Sequence, residues 1–140
     1  MKKTTADQAK TPAGSDPSGT RATILIIDDD EMIHRFMNLM LSREGYHVVL
    51  ARNRESAFEM LKSTMPDLLL IDMNLGDENG GLLCEEIKNM PGYTGIPILL
   101  ISGYVLSDQD CEKYRADGFL TKPMDLDAFR KTIRKHIQGK

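Results

Sequence analysis

Four apolar residues ending in a carboxylate, Leu68-Leu69-Leu70-Ile71-Asp72, run directly into Met73-Asn74-Leu75-Gly76-Asp77-Glu78-Asn79-Gly80. A short apolar run, preceded by Pro66 and followed by Gly and Asn, has the composition of a strand buried on both faces. Asp72 then stands at the C-terminal lip of that strand. In open α/β sheets the binding crevice lies outside those carboxyl ends, so Asp72 is a candidate for chemistry as well as for starting a turn.

The plan recurs upstream and downstream. Thr23-Ile24-Leu25-Ile26-Ile27 is a second apolar run ending in acid, Asp28-Asp29-Asp30. Met32, Ile33, Phe36, Met37, Leu39, Met40 and Leu41 then recur at helical spacing, with Asp30 as cap and Glu44-Gly45 as stop. Tyr46 to Ala51 reads as a short strand, and Asn53 caps a helix carrying Ala57, Phe58, Met60 and Leu61 that must end before Pro66. Beyond a Gly80-Gly81 break, Leu82, Leu83, Ile87 and Met90 mark a third helix closed by Pro91-Gly92. Ile96 to Ile101 is a fourth strand, with Pro97 tolerated near its start, and Ser102-Gly103 follows. Ser107 caps a short polar helix from Asp108 to about Arg115. Phe119-Leu120-Thr121 is a minimal fifth strand, then Lys122-Pro123. Asp125 caps a last helix with Leu126, Phe129, Ile133 and Ile137 inward.

Strands alternating with helices five times over predict an α/β fold with a doubly wound parallel sheet. Asp28, Asp29, Asp72, Ser102 and Lys122 then all fall at one sheet edge. Taken singly, the three acids cap a helix, Lys122 is a solvated charge and Ser102 is a turn residue. Their convergence is what points to a site.

Composition narrows the function classes. The chain has 140 residues, 41% of them hydrophobic, and a net charge of -3 from 18 basic and 21 acidic residues. That suits one domain and offers no basic face for nucleic acid. Cys84 and Cys111 form no Cys-x-x-Cys or Cys/His cluster, which argues for reduced, semi-buried helix residues. Met1 to about Arg21 lacks hydrophobic periodicity and reads as a flexible tail or linker. It carries no apolar signal core, and no later run approaches membrane-spanning length, so a cytoplasmic protein with no membrane partner is expected. The helix methionines read as core filler, and His34, His47 and His136 are too scattered for a shared role.

Ile26-Ile27-Asp28-Asp29, Asp72 with Gly80 eight residues later, Ile101-Ser102-Gly103 and Phe119-Leu120-Thr121-Lys122-Pro123 together resemble the receiver domain of two-component response regulators, of the chemotaxis-regulator type. The likeness runs from about Thr23 to Ile137, making residues 22–140 the receiver domain. It implies a flavodoxin-like five-stranded parallel sheet of order 2-1-3-4-5 with five helices. It also implies that Asp72 accepts a phosphoryl group from a sensor histidine kinase or a histidine phosphotransfer protein, a signalling role and not that of an enzyme with external turnover. Magnesium would be bound by Asp29, Asp72 and the backbone carbonyl of Asn74, with Asp28 acting through water. Lys122 and Ser102 would neutralise and hydrogen-bond phosphoryl oxygens. Ser102 and Phe119 would form the switch that alters a face read by a downstream protein. The Lys122-Pro123 bond would be cis.

The chain departs from the family in places. Leu75-Gly76 replaces a usual Met-Pro pair, which predicts a looser loop. The Ser102 to Lys122 segment is about two residues short, with Ala116-Asp117-Gly118 where Ala-Gly-Ala-Asp is usual, predicting a short or displaced fourth helix. Phe119 has no hydroxyl, so packing alone sets its rotamer. Asn74 and Tyr104 flank the site and are expected to tune phosphoryl lifetime. Only Gln138-Gly139-Lys140 follow the last helix, consistent with a stand-alone regulator or a receiver from a longer protein. Two rival functions are a degenerate receiver acting only as an interaction module, and a small magnesium-dependent aspartyl phosphatase. The latter normally places its nucleophile in an Asp-x-Asp after the first strand, whereas the candidate acceptor here follows the third, and it carries a cap insertion that does not stand here.

Overall fold

The computed structural model describes residues 21–122 and 125–138. The expected tail, Arg21 excepted, and the Lys122-Pro123 bond lie outside them. The elements run β1 (Thr23–Ile27), α1 (Glu31–Arg43), β2 (His47–Ala51), α2 (Arg54–Thr64), β3 (Leu68–Asp72), β4 (Asn74–Leu75), β5 (Glu78–Asn79), α3 (Gly80–Lys88), β6 (Ile98–Ser102), α4 (Asp108–Tyr114), β7 (Gly118–Thr121) and α5 (Leu126–Gln138). The main sheet has the order β2-β1-β3-β6-β7, with every pairing parallel. This is the expected 2-1-3-4-5 order once the extra ribbon β4-β5 is counted.

Period-2 alternation divides the central strands between two cores. Leu25, Ile27, Leu69, Ile71, Ile98 and Leu100 face one core with Ala57 and Leu61 of α2 and Leu83, Cys84 and Ile87 of α3. Ile24, Ile26, Leu68, Leu70, Leu99 and Ile101 face the other, with Met37 and Leu41 of α1 and Phe129 and Ile133 of α5. Both faces are therefore covered, which is why these strands read as unbroken apolar runs. Register fixes the edge: Ile27 pairs with Ile71, Asp72 with Ile101 and Ser102 with Thr121. Asp28, Asp72, Ser102 and Lys122 consequently come out at the same rim.

Caps close the helices as the sequence suggests. Asp30, Asn53, Ser107 and Asp125 each accept backbone N–H groups at a helix start. The fourth helix is short, ending at Tyr114 with Arg115 in the left-handed region. Met65, also left-handed at φ 47°, ends α2 just before Pro66.

Three expectations are corrected. The loop after Asp72 is not loosened. It folds back as a two-residue hairpin pairing Asn74 with Asn79 and Leu75 with Glu78. Gly76 takes φ +64° at its first turn position, the conformation a tight hairpin asks of glycine. The Gly80-Gly81 pair is no break: Asn79 caps α3, and both glycines lie in its first turn. They are required by close approach. A Cβ on Gly80 would stand 1.9 Å from the Asp72 carbonyl oxygen, and one on Gly81 would stand 2.6 Å from the Tyr114 ring. Finally, Leu82, Met32, Leu39 and Leu126 face solvent, not the core.

At the opposite rim an ion pair between a buried lysine and an exposed aspartate ties three elements together. Lys88 Nζ lies 2.8 Å from Asp117 Oδ2, and the same carboxylate oxygen accepts the Ile98 N–H at 2.8 Å. The Asp117 N–H donates to the Ile98 carbonyl at 2.8 Å, and Lys88 also donates to the Thr94 carbonyl at 3.4 Å.

Candidate functional site

The rim residues meet around Asp72, which is 5% exposed. Its Oδ2 receives the Lys122 ammonium at 2.7 Å, and its Oδ1 accepts the Asn74 N–H at 2.8 Å. Lys122 is positioned by its own N–H, which donates to the Ser102 carbonyl at 2.7 Å. Burial disfavours the Lys122 charge, but the hydrogen bond and field of Asp72, with Asp28 and Asp30 behind it, hold its pKa above the ordinary lysine value. The pair is a charge-assisted contact at the mouth of a cleft.

Asp28 is fully buried. Its Oδ1 accepts the Asp30 N–H at 2.8 Å, whereas its Oδ2 has no partner. Burial pushes the Asp28 carboxyl up to about 7; the Asp30 N–H opposes the shift and neighbouring Asp72 adds to it. An orphaned buried oxygen beside a second carboxylate costs free energy unless something positive arrives. Asp29 is exposed, and its Oδ2 lies 3.4 Å from the point where a Gly76 Cβ would be. Among the described residues no three His, Cys, Asp or Glu side chains cluster so as to enclose a metal by themselves. A hard divalent cation that keeps several waters and accepts backbone oxygens does not need such a cage, and the Asp28 orphan fits one.

Ser102 is 1% exposed and its Oγ accepts the Tyr104 N–H at 3.0 Å. Phe119 is half-buried against the core that holds α2, α3 and α4. It also lines a groove of about 280 Å³ with Leu120, Thr121, Asp125 and Phe129. A cleft of about 510 Å³ opens over Asp72, walled by Met73, Asn74, Ser102, Gly103 and Tyr104 and by Asp77, Glu78 and Asn79 of the hairpin.

The sequence-derived residues Asp28, Asp72, Asn74, Ser102 and Lys122 thus gather at one place, with Asp29 at its edge and Phe119 on the neighbouring strand. The hairpin residues Asp77, Glu78 and Asn79 were not anticipated there. The signal for them was Gly76-Asp77, a turn-forming pair between residues able to pair across it. Chemically, the cleft presents a buried carboxylate held by a cation, a buried hydroxyl and a neighbouring carboxylate oxygen without a hydrogen-bond partner.

The chain is similar to known proteins. The profile of the response regulator receiver domain matches residues 24–134. The transcriptional regulatory protein KdpE of Staphylococcus aureus is 32% identical over 116 residues, covering 81% of this chain and 49% of KdpE. The sporulation initiation phosphotransferase F of Bacillus subtilis is 27% identical over 114 residues, covering 81% of this chain and 92% of that protein. A crystal structure of a response regulator from Chloroflexus aurantiacus superposes with TM-score 0.79 at 26% identity, covering 85% of this chain and 99% of that one. The chain spans about half the length of KdpE and 27% and 16% of two other relatives.

Proposed function

The chain belongs to the response regulator receiver domain family of two-component signalling, and we propose that it works as a magnesium-dependent phosphoacceptor with Asp72 as the acceptor. The observation that supports this best is the Asp72 carboxylate held 2.7 Å from Lys122 at the mouth of a cleft.

An Asp72 carboxylate oxygen attacks the phosphorus of a phosphohistidine in line. The P–N bond breaks, a P–O bond to Asp72 forms, and the imidazole leaves with the electron pair and takes a proton from solvent. The obstacle is repulsion between two anions. The Lys122 ammonium, freed from Asp72 Oδ2, neutralises a phosphoryl oxygen, and the Ser102 hydroxyl donates to another. Asp29, Asp72 and the Asn74 carbonyl would hold magnesium, with Asp28 acting through water. When bound, the ion supplies charge neutralisation between nucleophile and phosphoryl group. Movement of Ser102 toward the phosphoryl group leaves room for Phe119 to turn inward, changing the face that a downstream protein reads. The donor is a sensor histidine kinase or a histidine phosphotransfer protein, and the setting is the cytoplasm. Among the described residues no helix is long and apolar enough to cross a membrane.

The test is incubation with acetyl phosphate or beryllofluoride and magnesium, followed by intact mass and a nearby spectroscopic probe, for wild type and Asp72→Asn. A single labile adduct lost in Asp72→Asn supports the reading. No adduct would point to an interaction module, and turnover of many equivalents to a phosphatase.

A further inference from the structure

The hairpin β4-β5 forms one wall of the cleft over Asp72. It puts Asp77, Glu78 and Asn79 among the lining residues, and none of the described lining residues is cationic. The wall is a built feature. Asn74 and Leu75 pair across it with Asn79 and Glu78, Gly76 turns it, and the Gly80 N–H anchors its end to the Met73 carbonyl at 2.8 Å. Arg54 lies within electrostatic reach of Glu78, but its guanidinium is already engaged by Glu86. Two further exposed carboxylates, Asp29 and Asp30, follow β1, with Asp29 beside Gly76 of the hairpin turn. Below the wall stand the Lys122–Asp72 pair and the buried, unpartnered Asp28 Oδ2. The cation paired with Asp72 is not part of the cleft lining, whose charged residues Asp72, Asp77 and Glu78 are all acidic.

A phosphoryl group approaches with roughly one and a half to two negative charges near neutral pH. A cleft entrance lined by one sign of charge alters association rates by about 10- to 1,000-fold, and salt erodes the effect. From this arrangement, and resting on the phosphoacceptor reading, we propose that the hairpin is a charge filter on the phosphodonor. Asp77 and Glu78 select a phosphohistidine whose flanks carry Lys or Arg. They disfavour free dianionic donors and donors with acidic flanks. The two carboxylates act on approach and take no part in the P–N cleavage and P–O formation at Asp72.

The experiment uses two synthetic phosphohistidine peptides, one flanked by lysines and one by glutamates, together with acetyl phosphate. Magnesium is raised to saturation for each variant, so that loss of carboxylates near the ion is not mistaken for the filter. Rates of Asp72 modification are compared for wild type, for Asp77→Asn with Glu78→Gln, and for Glu59→Gln with Glu112→Gln, which removes the same charge from exposed positions elsewhere. At low ionic strength, wild type is expected to take phosphoryl from the lysine-flanked peptide about tenfold faster than from the glutamate-flanked one. Neutralising the hairpin should bring that preference to about threefold or less and speed acetyl phosphate modification about threefold. The remote variant should keep the wild-type preference. All differences should shrink near 1 M salt, where the screening length is about 3 Å. An unchanged preference in the hairpin variant, or an equal change in the remote variant, overturns the filter while the phosphoacceptor reading stands. Absence of any adduct on wild type would overturn both.

Discussion

The carbonyl oxygen of Asp72 lies 1.9 Å from the point where a Cβ on Gly80 would sit. Backbone therefore meets backbone where β3 passes under the start of α3, and neither can yield by turning a side chain. Gly80→Ala should cost about 2–4 kcal/mol of stability, by overpacking at a site that cannot relax. It should also slow modification of Asp72, since the clash falls on the same residue. Urea unfolding of the two proteins checks the first part, and a time course with acetyl phosphate checks the second.

Asp28 makes the metal-free protein sensitive to pH. Its folded-state pKa of about 7 exceeds the ordinary 3.8, so the folded chain holds a proton that the unfolded chain has already released. Stability contributed by that proton is full below about pH 4 and drains away as pH rises toward 7. Asp28→Asn removes the titration. In chelator at pH 8 it should melt several degrees higher than wild type, on the order of 1–2 kcal/mol, with little difference at pH 4. Magnesium should raise the wild-type melting temperature at pH 8 more than that of the variant. A variant less stable than wild type at pH 8 in chelator would contradict the assignment.

Lys88 and Asp117 predict an asymmetry. Asp117 serves both the Lys88 ammonium and the Ile98 N–H, so Asp117→Ala leaves a buried lysine and a strand amide without their acceptor. That should cost about 3 kcal/mol or more. Lys88→Met removes only the charge and keeps the length of the side chain, and should cost about 1–2 kcal/mol less. Guanidinium melts of the two single variants and the double variant give the coupling directly.

Tyr104 is 65% exposed beside the cleft while its N–H holds the Ser102 hydroxyl. Truncating its ring opens a path for water without touching that backbone bond. Tyr104→Ala should shorten the lifetime of the Asp72 phosphoryl group by a few-fold, roughly a kcal/mol or less in barrier. Exchanging Asn74 should shift the same lifetime, because its side chain is exposed at the same mouth. The measurement is loss of the adduct after the donor is removed. An unchanged lifetime in both would remove these residues from that role.

Much of this was legible because burial on both faces leaves a plain mark. Ile24 to Ile27, Leu68 to Ile71 and Ile98 to Ile101 are fully buried, and unbroken apolar runs can mean little else at that length. The site was legible for a related reason: strand ends place acids and hydroxyls in register without any further information. The hairpin was not, since two-residue strands have no periodicity to detect, and Gly76 reads equally well as slack or as a turn. The Gly80-Gly81 pair misled because glycine marks both breaks and close approaches, and only the positions of the Asp72 carbonyl and the Tyr114 ring decide between them. Leu82, Met32 and Leu39 sit on helices whose apolar stripe is wider than the surface available to cover it.

The ion pair at the far rim gives the sheet a fixed end. Ile98 and Asp117 are bonded through both backbone and carboxylate, and Lys88 pins them to α3, while Ser102 and Thr121 pair at the other end of the same two strands. A pull exerted at the cleft on phosphorylation would therefore pivot β6 and β7 about Asp117. Displacement is then expected to be larger at Ser102 and Thr121 than at Ile98 and Asp117, so that a small event at Asp72 would be read out as an angle.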